Sequence, residues 1–332
     1  MSFRLTSVIQ IGNYQLRGGV NDVHCKRSVK EIVDTAVLKI PAIGRVNNND
    51  NLPASSVATS VLWKEGDAVS IQLGYNNDNR QEFKGFVRRV NASIPVTVEC
   101  EGYAWQLRRK RLIKSYKSVS LKQFLTELVA GTDIKLSPFI PGMQLSNLKI
   151  NHANGLKVLE YIKDHLHLSV YFLFDVLYVG LEEGVQGNQV KHRLGWNTIR
   201  DDQLKWRLAD DTKVLIRLVT GKGKSKKRTL YQSGDTDGGL VEKSVASLTS
   251  AKDLQAVADD LLQQAKYTGF EGSISGFLQP FIQMCDTDIV IDKIYNERGD
   301  SYFTIGTEVH FGMNGAQRKV FIGRSLSGGT SA

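Results

Sequence analysis

The sequence predicts an α+β chain that is mainly β: two related antiparallel β-barrel domains with a small α+β middle domain. Three observations carry this reading. A stretch of alternating strands occurs twice in weakened form, from Glu65 to Tyr103 and again within Thr249 to Gly323. Both copies open on an acidic turn, Gly66-Asp67 or Asp286, before a strand that alternates apolar and polar residues. Finally, 332 residues exceed the roughly 250–300 that one hydrophobic core serves well, so two or three domains are expected. The expected division is 1–105, 106–196 and 197–325, with 326–332 as a disordered tail.

The first domain begins with strands over residues 5 to 46, SVIQIGNYQL and then a segment ending in DTAVLKIP. Pro41 has no N–H for a ladder, so the strand ends there. RVNNNDNLPASS, from Arg45 to Ser56, is rich in turn formers and predicts a surface loop. EGDAVSIQLGY comes next, then a hairpin between Tyr75 and Asn79, then QEFKGFVRRVNA. In PVTVECEGY, Val96, Val98 and Cys100 share one face and Thr97, Glu99 and Glu101 the other.

After Trp105 the period becomes helical. Ser120 suits the N-cap of LKQFLTELVA, whose Leu121, Phe124, Leu125 and Leu128 fall at helical spacing before Gly131 stops the helix. Pro138 and Pro141 keep the next stretch from continuing as a helix. Asn154 precedes GLKVLEYIKDHL, where Leu156, Leu159, Ile162 and Leu166 form one stripe. SVYFLFDVLYVG then reads as a buried hairpin.

The last domain starts near Asn197. KVLIRLVT is a strand, a basic loop comes after it, and Asp237-Gly238 is a hairpin signal. A helix is expected from Thr249 to Lys266, capped by Thr249 or Ser250, with Asp253 favourable to its dipole and Gly269 as its stop. Leu254, Val257, Ala258, Leu261, Leu262 and Ala265 make its packed face. EGSISGFL, DTDIVIDKIY, DSYFTIGTEVHFG and RKVFIG read as antiparallel strands, with a hairpin at Glu297-Arg298-Gly299-Asp300.

The net charge of +9 is concentrated in two runs: Arg108-Arg109-Lys110-Arg111 with Lys114 and Lys117, and the loop Lys222, Lys224, Lys226, Lys227 and Arg228. Clustered cations release counterions from nucleic acid. No aromatic residues interleave these runs to stack bases, and a rim facing an acidic partner chain explains them better. The second run is the candidate partner interface. Three cysteines, odd in number and far apart, argue against a disulfide framework or a Cys-rich zinc site and fit a reducing compartment. The longest apolar run, Val170 to Leu181, is interrupted by Asp175 and too short to span a bilayer. The N-terminus lacks a signal layout, so no membrane partner is expected.

Catalytic and ligand motifs are incomplete. GKGKS at Gly221 to Ser225 resembles the end of a phosphate loop, but Leu218 stands where that loop needs glycine, and no amphipathic helix comes after it. DTDGG resembles a calcium loop, but Gly239 replaces the third ligand and Ala246 the terminal glutamate. His165 and His167 point to different faces and make a poor metal pair. Asp259-Asp260 and Glu182-Glu183 face apart and are expected to be solvated. There is no GxSxG elbow. Nothing specifies an enzyme, a cofactor or a metal.

Taken together, EFKGFVRRV, VTVECEGYAWQL, the helical middle, SAKDLQAVADDLLQQA and DIVIDKIYNERGDSYFTIGTEVHFGMNGAQRKVFIG resemble the baseplate hub proteins of contractile-tailed phages and related injection systems. That group includes the late control protein D family and the N-terminal hub part of type VI secretion spike proteins. Val309 to Gly323 is the most family-like part. The resemblance implies a virion structural protein with two tube-type barrels per chain, Ser7 to Tyr103 and Asn197 to Arg324. Three chains would form a ring of pseudo-six-fold symmetry, joining a hexameric tail tube to a trimeric central spike. It implies synthesis in the bacterial cytoplasm and a place in a virion tail or injection particle. Its partners would be the tube protein, other baseplate proteins and a spike carried on a separate chain, since this one stops just after Gly323. Exposed strands such as KVLIRLVT or VSIQLGY are candidate contacts within the ring.

Two rival classes stand beside it. A nucleic-acid-binding protein would rest on the basic runs. A cell-wall-binding β protein would need an aromatic platform, and Trp63, Trp105, Trp196 and Trp206 are scattered and expected in the core.

Overall fold

The computed structural model describes residues 4–16, 20–46, 55–200, 203–220, 228–245 and 247–327. Strands dominate the first third: β1 (Leu5–Ile11), β2 (Tyr14–Leu16), β3 (Asp22–Ser28), β4 (Thr35–Ile40), β5 (Ile43–Val46), β6 (Ser55–Ala58), β7 (Ala68–Tyr75), β8 (Asp78–Asn91) and β9 (Val96–Glu101). A short helix α1 (Ala104–Arg109) leads into β10 (Arg111–Ser120), α2 (Leu121–Val129), β11 (Lys135–Leu136), β12 (Gln144–Asn154), α3 (Gly155–Tyr161), β13 (Ser169–Leu173) and β14 (Val176–Gly180). The last third holds β15 (Gln189–Arg193), β16 (Thr198–Arg200), β17 (Lys205–Arg207), β18 (Val214–Thr220), β19 (Arg228–Gly234) and β20 (Gly239–Ser244). The chain then forms α4 (Ala251–Ala265), β21 (Gly269–Gly276), β22 (Thr287–Ile291), β23 (Asp300–Gly312) and β24 (Gly315–Ser325). The chain is α+β and mainly β, as its alternation predicts.

Local chemistry explains the element ends. The Ser120 hydroxyl accepts from Gln123 N–H, Asn154 from Lys157 N–H and Ser250 from Asp253 N–H, each satisfying an orphan donor of a first helical turn. Gly131, at φ +76°, ends α2. Gly269 is not a helix stop; α4 ends at Ala265, and Gly269 opens β21 at φ +145°. Asn76 and Asn77, at φ 51° and 68°, form the two-residue turn joining β7 to β8.

The two sequence copies share more than strand order. β7, β8 and β9 form one antiparallel meander, and β22, β23 and β24 another. The acidic turns that open them match bond for bond. The Asp67 carboxylate accepts from Lys64 N–H at 3.0 Å, and that of Asp286 from Gln283 N–H at 2.9 Å. Asp67 N–H donates to Lys64 carbonyl and Asp286 N–H to Gln283 carbonyl, both at 3.2 Å. The carbonyls of Asp67 and Asp286 then accept from Val87 and Thr304 on the next strand, at 2.8 and 2.9 Å.

These meanders belong to one 14-stranded sheet whose main path is β16-β21-β24-β23-β3-β4-β9-β8-β7-β1-β2. β23 of the second half pairs with β3 of the first along Gly306–Gly312 and Asp22–Ser28. Both strands proposed from sequence as ring contacts are paired on both sides: β7 between β1 and β8, and β18 between β19 and β20. Their backbone groups are already used. Among the described residues the edges are strands with a single neighbour, such as β2, β16 and β17.

The Asp237-Gly238 turn also differs from expectation. β20 does not pair with β19 but passes to the far side of β18 and runs parallel to it. The turn is held by the start of β18: Asp235 accepts from Val214 N–H, and Gly239 N–H donates to Lys213 carbonyl at 2.9 Å. A Cβ on Gly238 would lie 2.6 Å from Val214 N, so only glycine lets the chain cross that closely.

Three apolar clusters fill the molecule. The first lies under β1, β3, β4, β7, β8 and β9, and takes in Leu278, Val309 and Phe311 from the last third. A small one under the second meander holds Ile274, Ile282, Val290, Tyr302, Val320 and Ile322. The largest joins the middle segment to β18, to α4 and to the connection before α4 through Ile216, Leu218, Leu248, Leu254 and Val257. The predicted stripe Leu156, Leu159, Ile162 and Leu166 is buried there, as is the β13–β14 hairpin.

One ion pair crosses the sheet. Arg318 of β24, 1 % exposed, donates from both terminal nitrogens to Glu82 of β8, at 2.6 and 3.1 Å, and to Ile282 carbonyl at 3.0 Å. We expect Arg318→Met alone to cost about 3–5 kcal/mol, because it strands the Glu82 carboxylate in the interior. Adding Glu82→Leu should recover most of that loss. Urea denaturation of the two single variants and the double decides it; a near-neutral Arg318→Met would remove the pair's structural role.

Candidate functional site

Where the ends of the two halves meet, strand termini leave a cleft of about 1180 Å³. Its walls include Leu5 and Tyr75 from the first half, Phe277 and Gln279 after β21, and the β23–β24 hairpin from His310 to Gln317. The turn after β15 contributes Trp196 and β16 contributes Ile199 and Arg200. Trp196 and Met313 are 80 % and 82 % exposed, and Phe277 and Ile199 are also open to solvent. The floor is therefore a joint and the rim apolar, which is the chemistry of a surface awaiting cover.

Exposed apolar groups also stand on strand edges: Ile199 on β16, Trp206 on β17, and Leu240 and Val241 on β20. Only Trp63 of the four tryptophans is buried as expected from sequence; Trp105 is half-buried, stacked on Phe86, while Trp196 and Trp206 are exposed. The reason is position: a turn after β15 and a three-residue edge strand have no second layer over them.

Of the proposed partner interface, Lys222, Lys224, Lys226 and Lys227 lie outside the described residues. Arg228 opens β19, exposed and opposite Thr220. Half of the other basic run is paired with carboxylates of the chain itself. Arg108 pairs with buried Glu101 at 2.8 Å, Arg109 with Glu65 at 3.1 Å, and Lys114 with Glu127, while Lys110 donates to Ala130 carbonyl. A smaller cleft of about 560 Å³ holds Arg88, Arg89 and Arg108 together with Glu65 and Glu101. Mixed signs there lower its pull on phosphates.

Of the carboxylate pairs expected in solvent, Glu182 is buried and Glu183, Asp259 and Asp260 are half-buried. Glu182, buried, accepts from Lys30 at 2.6 Å; Glu183 takes a two-pronged contact from Arg324. Asp260 accepts from Glu182 N–H at 3.4 Å and from Gln264 at 3.0 Å. Burial first, and the Glu182 charge beside it, push Asp260 up to about 6. Neither cleft is lined by these groups. All three cysteines are free and buried, and burial raises each thiol, Cys285 to about 12. Thiols so protonated are poor nucleophiles.

His165 stacks on Tyr161 and His167 hydrogen-bonds Ser244 carbonyl at 3.0 Å, so the two rings serve different neighbours. The grouping that sequence reasoning missed is His24, Glu308 and His310, whose ligand atoms lie within 4.8 Å of one another. Glu308 and His310 are two apart on one strand and so share a face, a legible signal. His24 is 284 residues from Glu308, and only the β3–β23 register brings it there.

No protein-family model matches the sequence, and no curated protein matches it. Solved structures do. The 43 kDa tail protein of prophage MuSo2 from Shewanella oneidensis aligns over 96% of this chain and 97% of its own, with 12% identity and a TM-score of 0.64. A tail protein from Neisseria meningitidis MC58 aligns over 96% of both chains, with 14% identity and a TM-score of 0.67. An Escherichia coli component of the type VI secretion system, similar in structure to the T4 tail proteins gp27 and gp5, aligns over 98% of this chain and 79% of its own. Its identity is 8% and its TM-score 0.58. The chain has the fold of these tail and secretion proteins.

The raised Asp260 has a consequence for stability. Between about pH 4 and about pH 6 the unfolded chain loses this proton while the folded chain keeps it, so stability falls as pH rises through that window. We expect Asp260→Asn to remove this component and to stabilise the protein by about 1–3 kcal/mol above the window. Denaturation midpoints of both forms across the window test this; parallel curves would refute it.

Proposed function

We propose that the chain is a structural hub of a phage tail or phage-like injection particle. It forms a homotrimeric ring of pseudo-six-fold symmetry between a hexameric tail tube and a trimeric central spike. The observation that carries this reading is the repeated module: two antiparallel meanders, opened by the same Asp turn, within one continuous sheet. Residues 1–105 and 197–325 supply one tube-type unit each in this reading, with 106–196 between them. Three chains of two units give six similar surfaces for a hexameric tube, while the difference between the units preserves three-fold symmetry toward a spike.

The surface chemistry agrees. Apolar groups on edge strands, Ile199, Trp206 and Leu240 among them, suit burial against a neighbouring copy, since unpaired edges with apolar side chains associate unless covered. The chain's role is shape and contact rather than catalysis. The loop Lys222 to Arg228 faces an acidic partner surface, and the particle is assembled from chains made in the bacterial cytoplasm. Arg108, Arg109 and Lys114 of the first basic run are paired with the chain's own carboxylates, which weighs against nucleic acid as the partner.

Light scattering after size exclusion, on the chain alone and with tube and spike chains of its particle, should find three copies. Trp206→Glu with Leu240→Glu should convert the trimer to monomer without changing the circular dichroism spectrum. A stable dimer or hexamer, or a monomer inside assembled particles, would sink the proposal.

Replacing Lys222, Lys224, Lys226, Lys227 and Arg228 with glutamine should leave folding intact and weaken particle assembly, most at low salt where screening is least. Unchanged assembly across ionic strengths would count against a role for the loop.

A further inference from the structure

We propose that His24, Glu308 and His310 form a binding site for a divalent transition-metal ion of the zinc type, clamped across the joint between the two halves of the sheet. Antiparallel pairing sets His24 of β3 directly opposite His310 of β23, and Glu308 stands on the same face two residues away. The rings are stacked, with centroids 4.1 Å apart and planes inclined by 12°. The Glu308 carboxylate oxygen lies 2.6 Å from His24 Nε2 and 3.7 Å from His310 Nε2.

Zinc bonds of about 2.0–2.1 Å in tetrahedral array place ligand atoms roughly 3.4 Å apart. The two carboxylate distances bracket that value, and all three ligand atoms lie within 4.8 Å of one another, so side-chain rotations that move the tips by about 1–1.5 Å would complete the set. Two imidazoles and one carboxylate suit zinc, nickel or copper, whereas magnesium and calcium prefer oxygen ligands alone. The nearby lysines do not compete for the carboxylate. Lys26, on the adjacent strand, has its amine 2.7 Å from Glu31, and the amine of Lys319, cross-strand from Glu308, sits over the Phe321 ring.

An ordinary histidine–carboxylate contact needs one imidazole; the second ring, tilted out of the stack so that both in-plane lone pairs converge, is what a metal would use. Three protein ligands leave a fourth position, and His310 also lines the large cleft, so water or a neighbouring chain can reach it. An ion held there ties β3 to β23 and stabilises the folded chain by binding only that state.

The test uses the untagged full-length chain after treatment with chelator. Titration with zinc chloride in a calorimeter should show one ion per chain, and zinc should raise the melting temperature. Cobalt(II) should give the intense visible bands of a four-coordinate site. Loss of partners outside the first coordination sphere already weakens sites 10–100-fold, so His24→Ala, His310→Ala or Glu308→Gln should each weaken binding more than about tenfold. His152→Ala serves as the unaffected control. Because the His310 side chain is 54 % exposed, its variant should fold even if that of His24 does not. No uptake of zinc at micromolar excess, or uptake unchanged in His310→Ala, would overturn the site.

Discussion

The contact between Arg318 and Glu82 constrains everything else in the sheet. β24 and β8 are separated by four intervening strands, β23, β3, β4 and β9. At a spacing of about 4.8 Å, a flat sheet would hold them roughly 24 Å apart. A two-pronged pair at 2.6 and 3.1 Å is therefore possible only if the sheet curls back on itself. Curling also lets Val309, Phe311 and Leu278 of the last third enter the apolar cluster of the first. Two buried ions are expensive to desolvate, so such a pair specifies one curvature and register more than it adds net stability. The Arg27–Asp34 pair, also buried, acts on the same strand β3, with the Arg27 guanidinium 3.8 Å from the Phe174 ring centroid of the middle segment.

A second consequence concerns where surface remains. The largest apolar cluster lies between the middle segment, β18 and α4, so those elements are anchored inward. What stays open is the strand ends around the cleft and the edge strands. Apolar groups at such positions are costly in a chain that acts alone. They are ordinary in one that buries them against other chains.

The local chemistry of the chain is legible in its residues. Ser120, Asn154 and Ser250 cap helices because a short polar side chain before an apolar stripe meets an orphan N–H. Asn76-Asn77 makes a tight turn because asparagine tolerates positive φ. Asp67 and Asp286 announce the repeat, since each folds its carboxylate back three residues. These effects act over a few residues, where spacing and side-chain reach are enough.

Longer-range placements needed the folded chain. Arg318 meets Glu82 across 236 residues and His24 meets Glu308 across 284, distances over which sequence spacing carries no information about contact. Register and curvature decide them. The same cause put Glu182 inside rather than in solvent, left Trp196 and Trp206 outside, and sent β20 to the far side of β18. By itself the sequence determined the helices with their caps, the alternation of the repeated strands and the existence of the repeat, because those arise from local backbone and side-chain preferences. It did not determine β10 and β12, which lie where the sequence reads as helical. Only the tertiary structure decided which strands neighbour one another, which charges are buried and which apolar groups await a partner, because those depend on how one sheet curls.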